Sequence, residues 1–318
     1  MNSESQVNHR IILQAQSFSV GYDGEIVLSA EKMQVNGNVI ALAGHNGAGK
    51  STFMKALLGL LPLESGLLQA RDEQTGEILK ADKHMAFCPE TGAVFADITV
   101  KEYIKLWCRL KAPHSDFYLR EGADLLEALE LKPLLKKKGR ELSKGQKQRV
   151  QIAVGFFSQP KLFLFDEPFD GLDVQRTHEL MHVIRSYTPK MAFLISSHRM
   201  DVVERLADQV IVLQEGGVRT FGGTPQVSRE LCERMYAIDN ASTPDELCQK
   251  LELAFPNSSA YTLGKSVRFA TSAIPSHELE QCVRATDANG ALMTQVNPTL
   301  TDAMSLHLRL LKSAPKDQ

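Results

Sequence analysis

Three clusters in this chain carry groups suited to holding phosphate and a divalent cation. The first is Gly44-His45-Asn46-Gly47-Ala48-Gly49-Lys50-Ser51-Thr52, which satisfies G-x-x-x-x-G-K-[ST]. Gly44, Gly47 and Gly49 let the backbone curl until successive N–H groups can face phosphate oxygens. Lys50 has the length to reach β- and γ-phosphates, and Ser51 can offer its hydroxyl to Mg²⁺. The second cluster is Asp166-Glu167, adjacent carboxylates that close the apolar run Leu162-Phe163-Leu164-Phe165. Burying two carboxylates is costly without a cation, and Mg²⁺ beside a nucleotide supplies one. The third is a single residue, His198, which follows Ser196-Ser197 at the end of another apolar run. A lone histidine is usually structural, but at the rim of a sheet it can also meet a ligand.

These groups need a scaffold that brings them to one edge. The run Val39-Ile40-Ala41-Leu42-Ala43 enters the glycine loop as a strand, and Phe53, Leu57, Leu60 and Leu61 recur on one face of the helix that leaves it. That helix adds its positive N-terminal end to the same place. Leu162 to Phe165 do not alternate, which predicts a central parallel strand buried on both faces. Open α/β sheets bind ligands at the C-terminal ends of such strands, where Asp166, Glu167 and His198 stand.

Residues 11–43 read as strands, with turns at Asp23-Gly24 and Asn36-Gly37-Asn38. Tyr22 falls at the end of the hairpin. It could stack on a nucleobase, worth about 1–3 kcal/mol, or simply pack. Pro89 and Gly92 interrupt regular structure and leave Glu90 on a loop. Val100, Tyr103, Ile104 and Trp107, then Leu125, Leu126 and Leu129, keep helical spacing, so a helical subdomain over about 95–160 is expected within the α/β framework. Lys136-Lys137-Lys138 reads as a solvated charge run. A further helix is expected from Leu142-Ser143-Lys144-Gly145-Gln146, and a hairpin around Glu215-Gly216-Gly217 closes the first domain.

The chain has 318 residues, 43% of them hydrophobic and 23% charged, which suits a soluble globular protein of two domains. A net charge of −2 gives no electrostatic case for nucleic acid. Five scattered cysteines without a C-x-x-C pair read as reduced thiols. The first residues are polar, and no stretch approaches the ~18–20 apolar residues of a membrane span. Any membrane contact is therefore expected through a partner chain.

Domains are expected at 1–224 and 225–318. In the second, two helices follow Thr224-Pro225, the latter opened by a capping box at Thr243-Pro244-Asp245-Glu246. Strands are expected around Gly264-Lys265, then a helix capped by Ser276, a strand after Asn289-Gly290 and a last helix near Pro298. This small α+β domain shows no chemistry of its own. His178-Glu179-Leu180-Met181-His182 satisfies the zinc-helix pattern H-E-x-x-H, but no third ligand follows at a recognisable spacing, and a plain helix is required there to reach the next strand.

Taken together, these stretches resemble the ATP-binding-cassette (ABC) ATPases over roughly residues 10–224. Residues 44–52 match the Walker A loop, Leu142-Ser143-Lys144-Gly145-Gln146 the ABC signature, and Phe163-Leu164-Phe165-Asp166-Glu167 Walker B. Gly171-Leu172-Asp173 matches the D-loop and His198 the switch histidine. The resemblance implies a P-loop NTPase-type α/β sheet with an antiparallel β hairpin region and an inserted helical subdomain, and ATP hydrolysis with Mg²⁺. Asp166 and Ser51 would hold Mg²⁺, Glu167 would polarise the attacking water, His198 would contact the γ-phosphate and Tyr22 would stack on adenine. Gly44, Asn46, Gly47, Gly49, Lys50 and Thr52 belong to the nucleotide cradle, with Glu90 and Asp173 on the loops beside it.

The same resemblance implies that Ser143, Gly145 and Gln146 bind the γ-phosphate of ATP held by a second cassette, so that two copies close head to tail. Lys144 stands where glycine is commonest, and Glu90 where glutamine is usual. Both departures resemble the branch that serves ABC-2-type exporters. Pro298-Thr299-Leu300-Thr301-Asp302 is similar to a Pro-Ser-Leu-Glu-Asp-like helix start found in that branch. The expected function is the ATPase subunit of an exporter, peripheral at the cytoplasmic face of the inner membrane and docked on a separate permease near residues 95–107. The alternative is a soluble ABC ATPase acting without a permease, in translation or chromosome organisation.

Overall fold

A computed structural model describes residues 9–111, 122–271, 274, 276–287 and 291–313. The chain divides into two compact units, Met1–Phe221 and Gly222–Gln318.

The first unit is built on a nine-stranded sheet in the order β4-β1-β2-β9-β8-β3-β7-β6-β5. These strands are β1 (Ile11–Tyr22), β2 (Glu25–Gly37), β3 (Val39–Ala43), β4 (Ser65–Asp72), β5 (Met85–Cys88), β6 (Leu162–Phe165), β7 (Ala192–Ser197), β8 (Gln209–Gln214) and β9 (Gly217–Gly222). β1 pairs antiparallel with both β2 and β4, which forms the expected hairpin region. β8, β3, β7, β6 and β5 run parallel. Every residue of β3, β6 and β7 is buried, as non-alternating strands covered on both faces must be. Phe163, Phe165 and Phe193 stack across β6 and β7, with Phe156 on their flank. That aromatic block holds the strand ends that carry Asp166 and His198.

Helices of this unit are α1 (Lys50–Leu57), α2 (Ala81–His84), α3 (Val100–Lys111), α4 (Gly122–Ala128), α5 (Lys144–Phe157), α6 (Val174–Tyr187) and α7 (Met200–Leu206). α3, α4 and α5 make up the inserted helical part. Val100, Tyr103, Ile104, Leu125, Leu126 and Leu129 are buried together with Val150 and Phe156, so the helical spacing read from the sequence is a packing face. Nearby, the buried Asn38 amide donates to the carbonyls of His9 (2.5 Å) and Thr188 (2.8 Å), which ties the start of β3 to two loops.

The second unit has a four-stranded sheet, β11-β12-β10-β13, made of β10 (Arg234–Asp239), β11 (Ser258–Leu263), β12 (Ser266–Thr271) and β13 (Leu292–Val296). Its helices are α8 (Thr224–Leu231), α9 (Pro244–Ala254), α10 (Ser276–Thr286) and α11 (Leu300–Ser313). From β10 to β13 the order is β-α-β-β-α-β with all strand pairs antiparallel, the split β-α-β arrangement. Leu247 and Leu251 of α9 and Leu279 and Val283 of α10 share one core with Tyr236, Ile238, Val267 and Phe269.

Three expectations for this unit need correction. β10, the central strand, lies where only helices were expected after Thr224. Thr243 makes no side-chain cap bond, because its backbone (φ −131°, ψ 76°) lacks the extended cap geometry, and Pro244 begins the helix alone. Ser276 opens α10, but its hydroxyl bonds Tyr236 Oη at 3.1 Å. The Asn289-Gly290 turn lies outside the described residues. Thr299 and Asp302 do form a reciprocal cap. Asp302 accepts from the Thr299 amide (2.8 Å) and hydroxyl (2.7 Å), and Thr299 Oγ1 accepts from the Asp302 amide (3.1 Å). The Pro298–Asp302 stretch is thus a helix-starting device.

Candidate nucleotide site

The glycine loop joins β3 to α1 with Gly47 and Gly49 at positive φ (86° and 97°). Gly49 occupies the N-cap position of α1 in a left-handed conformation, and no side chain caps the helix. The first amides of α1 are thereby left for an anion, as a phosphate cradle requires. A Cβ at Gly44 would stand 2.6 Å from the Leu213 carbonyl oxygen, so the loop runs too close to β8 for a larger residue.

Lys50 is buried, and its Nζ is shared among three oxygens. It donates to the carbonyls of Gly44 (2.9 Å) and His45 (3.1 Å) and pairs with Glu167 Oε1 at 3.0 Å. Glu167 Oε2 lies 3.1 Å from His198 Nδ1 and accepts from the His198 amide at 3.3 Å. The fold therefore brings three sequence clusters, Lys50, Asp166-Glu167 and His198, into one centre. Glu167 itself has φ 47°, a left-handed conformation uncommon for a non-glycine residue and a form of local strain found where side chains are aimed for function.

Ser196 joins that centre, and sequence reasoning did not single it out. Its hydroxyl donates to Asp166 Oδ1 (2.7 Å) and accepts from the Glu167 amide (2.8 Å). One hydroxyl so orients both acids. The signal was present in Ser196-Ser197, polar residues ending a buried strand, but their partner depends on β6–β7 register. Asp166 is buried, accepts from Ser196 and has no cationic partner among the described residues. A buried carboxylate in that state fits a divalent cation.

Other expected site residues lie apart from this centre on exposed loops and helix starts. Ser143 caps α5, accepting from the Gln146 amide (3.3 Å) while Gln146 Oε1 accepts from the Ser143 amide (3.1 Å). Ser143, Lys144 and Gly145 are exposed, as are Glu90 and Tyr22. Asp173 caps α6, accepting from the Arg176 amide at 2.9 Å. In the H-E-x-x-H stretch, Glu179 accepts from Gln175 (2.8 Å) and His178 Nε2 faces Arg205 Nη1 (3.4 Å).

Cys88 ends β5 beneath the acids, its carbonyl accepting from the Asp166 amide at 2.9 Å. Burial, reinforced by the Asp166 charge, pushes its thiol up to about 12. Maleimide at pH 8 is expected to leave Cys88 unmodified in the native protein and to label it after denaturation, as read by peptide mass spectrometry. Native labelling as fast as denatured labelling would contradict that burial.

A phosphate cradle, a buried lysine and a strand-end pair of acids define a P-loop ATPase. Residues 32–170 match the family model for ABC transporters. The structure of an ATP-binding subunit of an ABC transporter is 30% identical with a TM-score of 0.62, covering 69% of this chain and 92% of that one. A bacterial Atm1-family ABC exporter with ATP bound has the same fold (TM-score 0.59, 22% identity, 70% of this chain and 41% of that one). ATP-binding cassette sub-family A member 2 of Rattus norvegicus is 30% identical over 206 residues, 63% of this chain and 8% of that protein. The Cholesterol transporter ABCA5 of Mus musculus is 28% identical over 191 residues, 59% of this chain and 12% of that protein. This chain belongs to the ABC transporter ATP-binding family, which binds and hydrolyses ATP. It spans about a tenth of the length of those curated relatives.

Proposed function

We propose that this chain is the ATP-hydrolysing subunit of an ABC-2-type exporter, driving a separate permease through ATP-dependent closure of two copies. The observation that carries this reading is a centre in which Lys50, Glu167 and His198 are already joined while Ser143, Lys144 and Gly145 stand exposed. Lys50 and the α1 amides hold the phosphates of ATP. Asp166 and Ser51 hold Mg²⁺, which when bound neutralises phosphate charge. Glu167 orients the attacking water, and His198 contacts the γ-phosphate. Phosphoryl transfer asks for this kind of positioning more than for covalent chemistry. Tyr22 stacks on adenine, and Ser143, Gly145 and Gln146 complete the site of a second copy. Residues 1–224 serve as the cassette and 225–318 as an accessory domain.

A cavity of about 510 Å³ lined by Leu58, Leu60, Phe87, Tyr103, Trp107 and Lys111 supports permease docking on this cassette. Leu60 is 68% exposed there, an apolar group suited to a partner's surface. Among the described residues no helix is long and apolar enough to cross a membrane. Leu60→Glu is expected to lower recovery of a co-purifying membrane protein several-fold while ATP binding is unchanged. The deciding experiment is purification of tagged wild-type protein from detergent-solubilised membranes. Recovery with ribosomes and without a membrane protein would overturn the exporter reading in favour of a permease-free cassette.

A further inference from the structure

We propose that residues 92–98 form a strap that positions the Ser143–Gln146 segment, acting through Gly92, Gly139 and the Ala93 carbonyl. The inference rests on the reading in which that segment closes over ATP held by a second copy. The strap begins just after Glu90 and crosses both flanks of the segment.

On the C-terminal flank, a Cβ at Gly92 would lie 2.7 Å from the Gln148 amide nitrogen and 2.9 Å from the Lys147 carbonyl carbon. The loop therefore rests directly on the backbone of α5. One residue later, the Ala93 carbonyl accepts from Tyr103 Oη of α3 (3.1 Å) and from the Gln151 side-chain amide of α5. On the N-terminal flank, a Cβ at Gly139 would stand 2.2 Å from the Phe95 carbonyl oxygen. The Gly139 and Arg140 amides donate to the carbonyls of Ile98 (3.1 Å) and Ala96 (3.0 Å), and Arg140 pairs with Asp97 at 2.9 Å.

The crossings at Gly92 and Gly139 are backbone against backbone, so no rotamer change can absorb a displacement there. Ser143 Oγ and Gln146 Oε1 each accept from the other residue's backbone amide, a bond pair internal to the segment, which leaves the segment's position to its two flanks. The strap also leads back to the acids, because Asp166 donates its amide to Cys88, two residues before Glu90. Gly92, Gly139, Tyr103 and Gln151 are thus positioning residues, none of which touches the nucleotide centre of its own cassette.

The test uses the full chain carrying Glu167→Gln, with Tyr103→Phe or Gly92→Ala added. Three readouts are hydrogen–deuterium exchange at residues 143–147, binding of a fluorescent ATP analogue to monomer, and ATP-driven dimerisation by analytical ultracentrifugation. Losing the Tyr103 hydroxyl is expected to speed exchange and weaken the dimer by about fivefold each, with monomer affinity unchanged. Gly92→Ala is expected to have the larger effect, and Tyr103→Phe decides the matter where Gly92→Ala does not fold. Unchanged exchange and unchanged dimerisation in Tyr103→Phe would overturn the strap, as would an equal loss of monomer ATP affinity. Should Glu167→Gln alone fail to dimerise, the two-copy reading falls, and the exchange arm still decides whether the strap holds the segment.

Discussion

Glu167→Gln is expected to lower ATP turnover by about 10²–10⁴-fold, the range for removing a general base, while nucleotide binding persists. The substitution keeps the side chain's length and an acceptor oxygen for Lys50 or His198, which hold Glu167 from either side at 3.0 and 3.1 Å. It removes the charge that draws a proton from water. The φ of 47° at Glu167 belongs to the backbone and survives the change, as does the hydrogen bond that its backbone N–H donates to the Ser196 hydroxyl. ATP bound without being hydrolysed should then accumulate a dimer visible by gel filtration. Phosphate-release assays give the first readout, and turnover equal to wild type would remove Glu167 from the catalytic role.

What could be read from the sequence depended on whether the chemistry was contiguous. The phosphate loop is one stretch because the cradle is made by consecutive amides, and its three glycines state their own reason for being there. β6 and β7 were legible because both faces are covered and alternation is lost. Ser196 was not, since nothing in Ser196-Ser197-His198 says which strand lies beside it. Only the pairing of Phe165 with Ile195 puts that hydroxyl against Asp166.

The second unit shows the opposite case. β10 carries Met235-Tyr236-Ala237-Ile238, a short apolar run between two helices, which periodicity cannot assign to strand or helix. It is the strand between β12 and β13, and without it the β-α-β-β-α-β order is invisible. Thr243 misled for a related reason. A capping box needs the right backbone as well as the right residue types, and ψ there is 76°. At Thr299 the same kind of pattern is realised in full.

Lys50→Ala is expected to lower nucleotide affinity by about 10–100-fold, the worth of charge-assisted hydrogen bonds to phosphate. A second effect follows from the pair it leaves behind. Lys50 and Glu167 side chains are only 6% and 11% exposed, so removing the ammonium strands a carboxylate in a poorly solvated place. Breaking a buried pair typically costs about 3–5 kcal/mol, so the ligand-free melting temperature should fall as well. Adding Glu167→Gln to Lys50→Ala takes away the stranded charge and should return part of that melting temperature. Nucleotide affinity should stay low, because the phosphate contact is still missing. Differential scanning fluorimetry without nucleotide separates the two effects from a fluorescent ATP titration. Strictly additive melting shifts would mean that Lys50 and Glu167 do not stabilise each other before ATP arrives. The expected non-additivity would show that the cation which receives the γ-phosphate also holds the base in place beforehand.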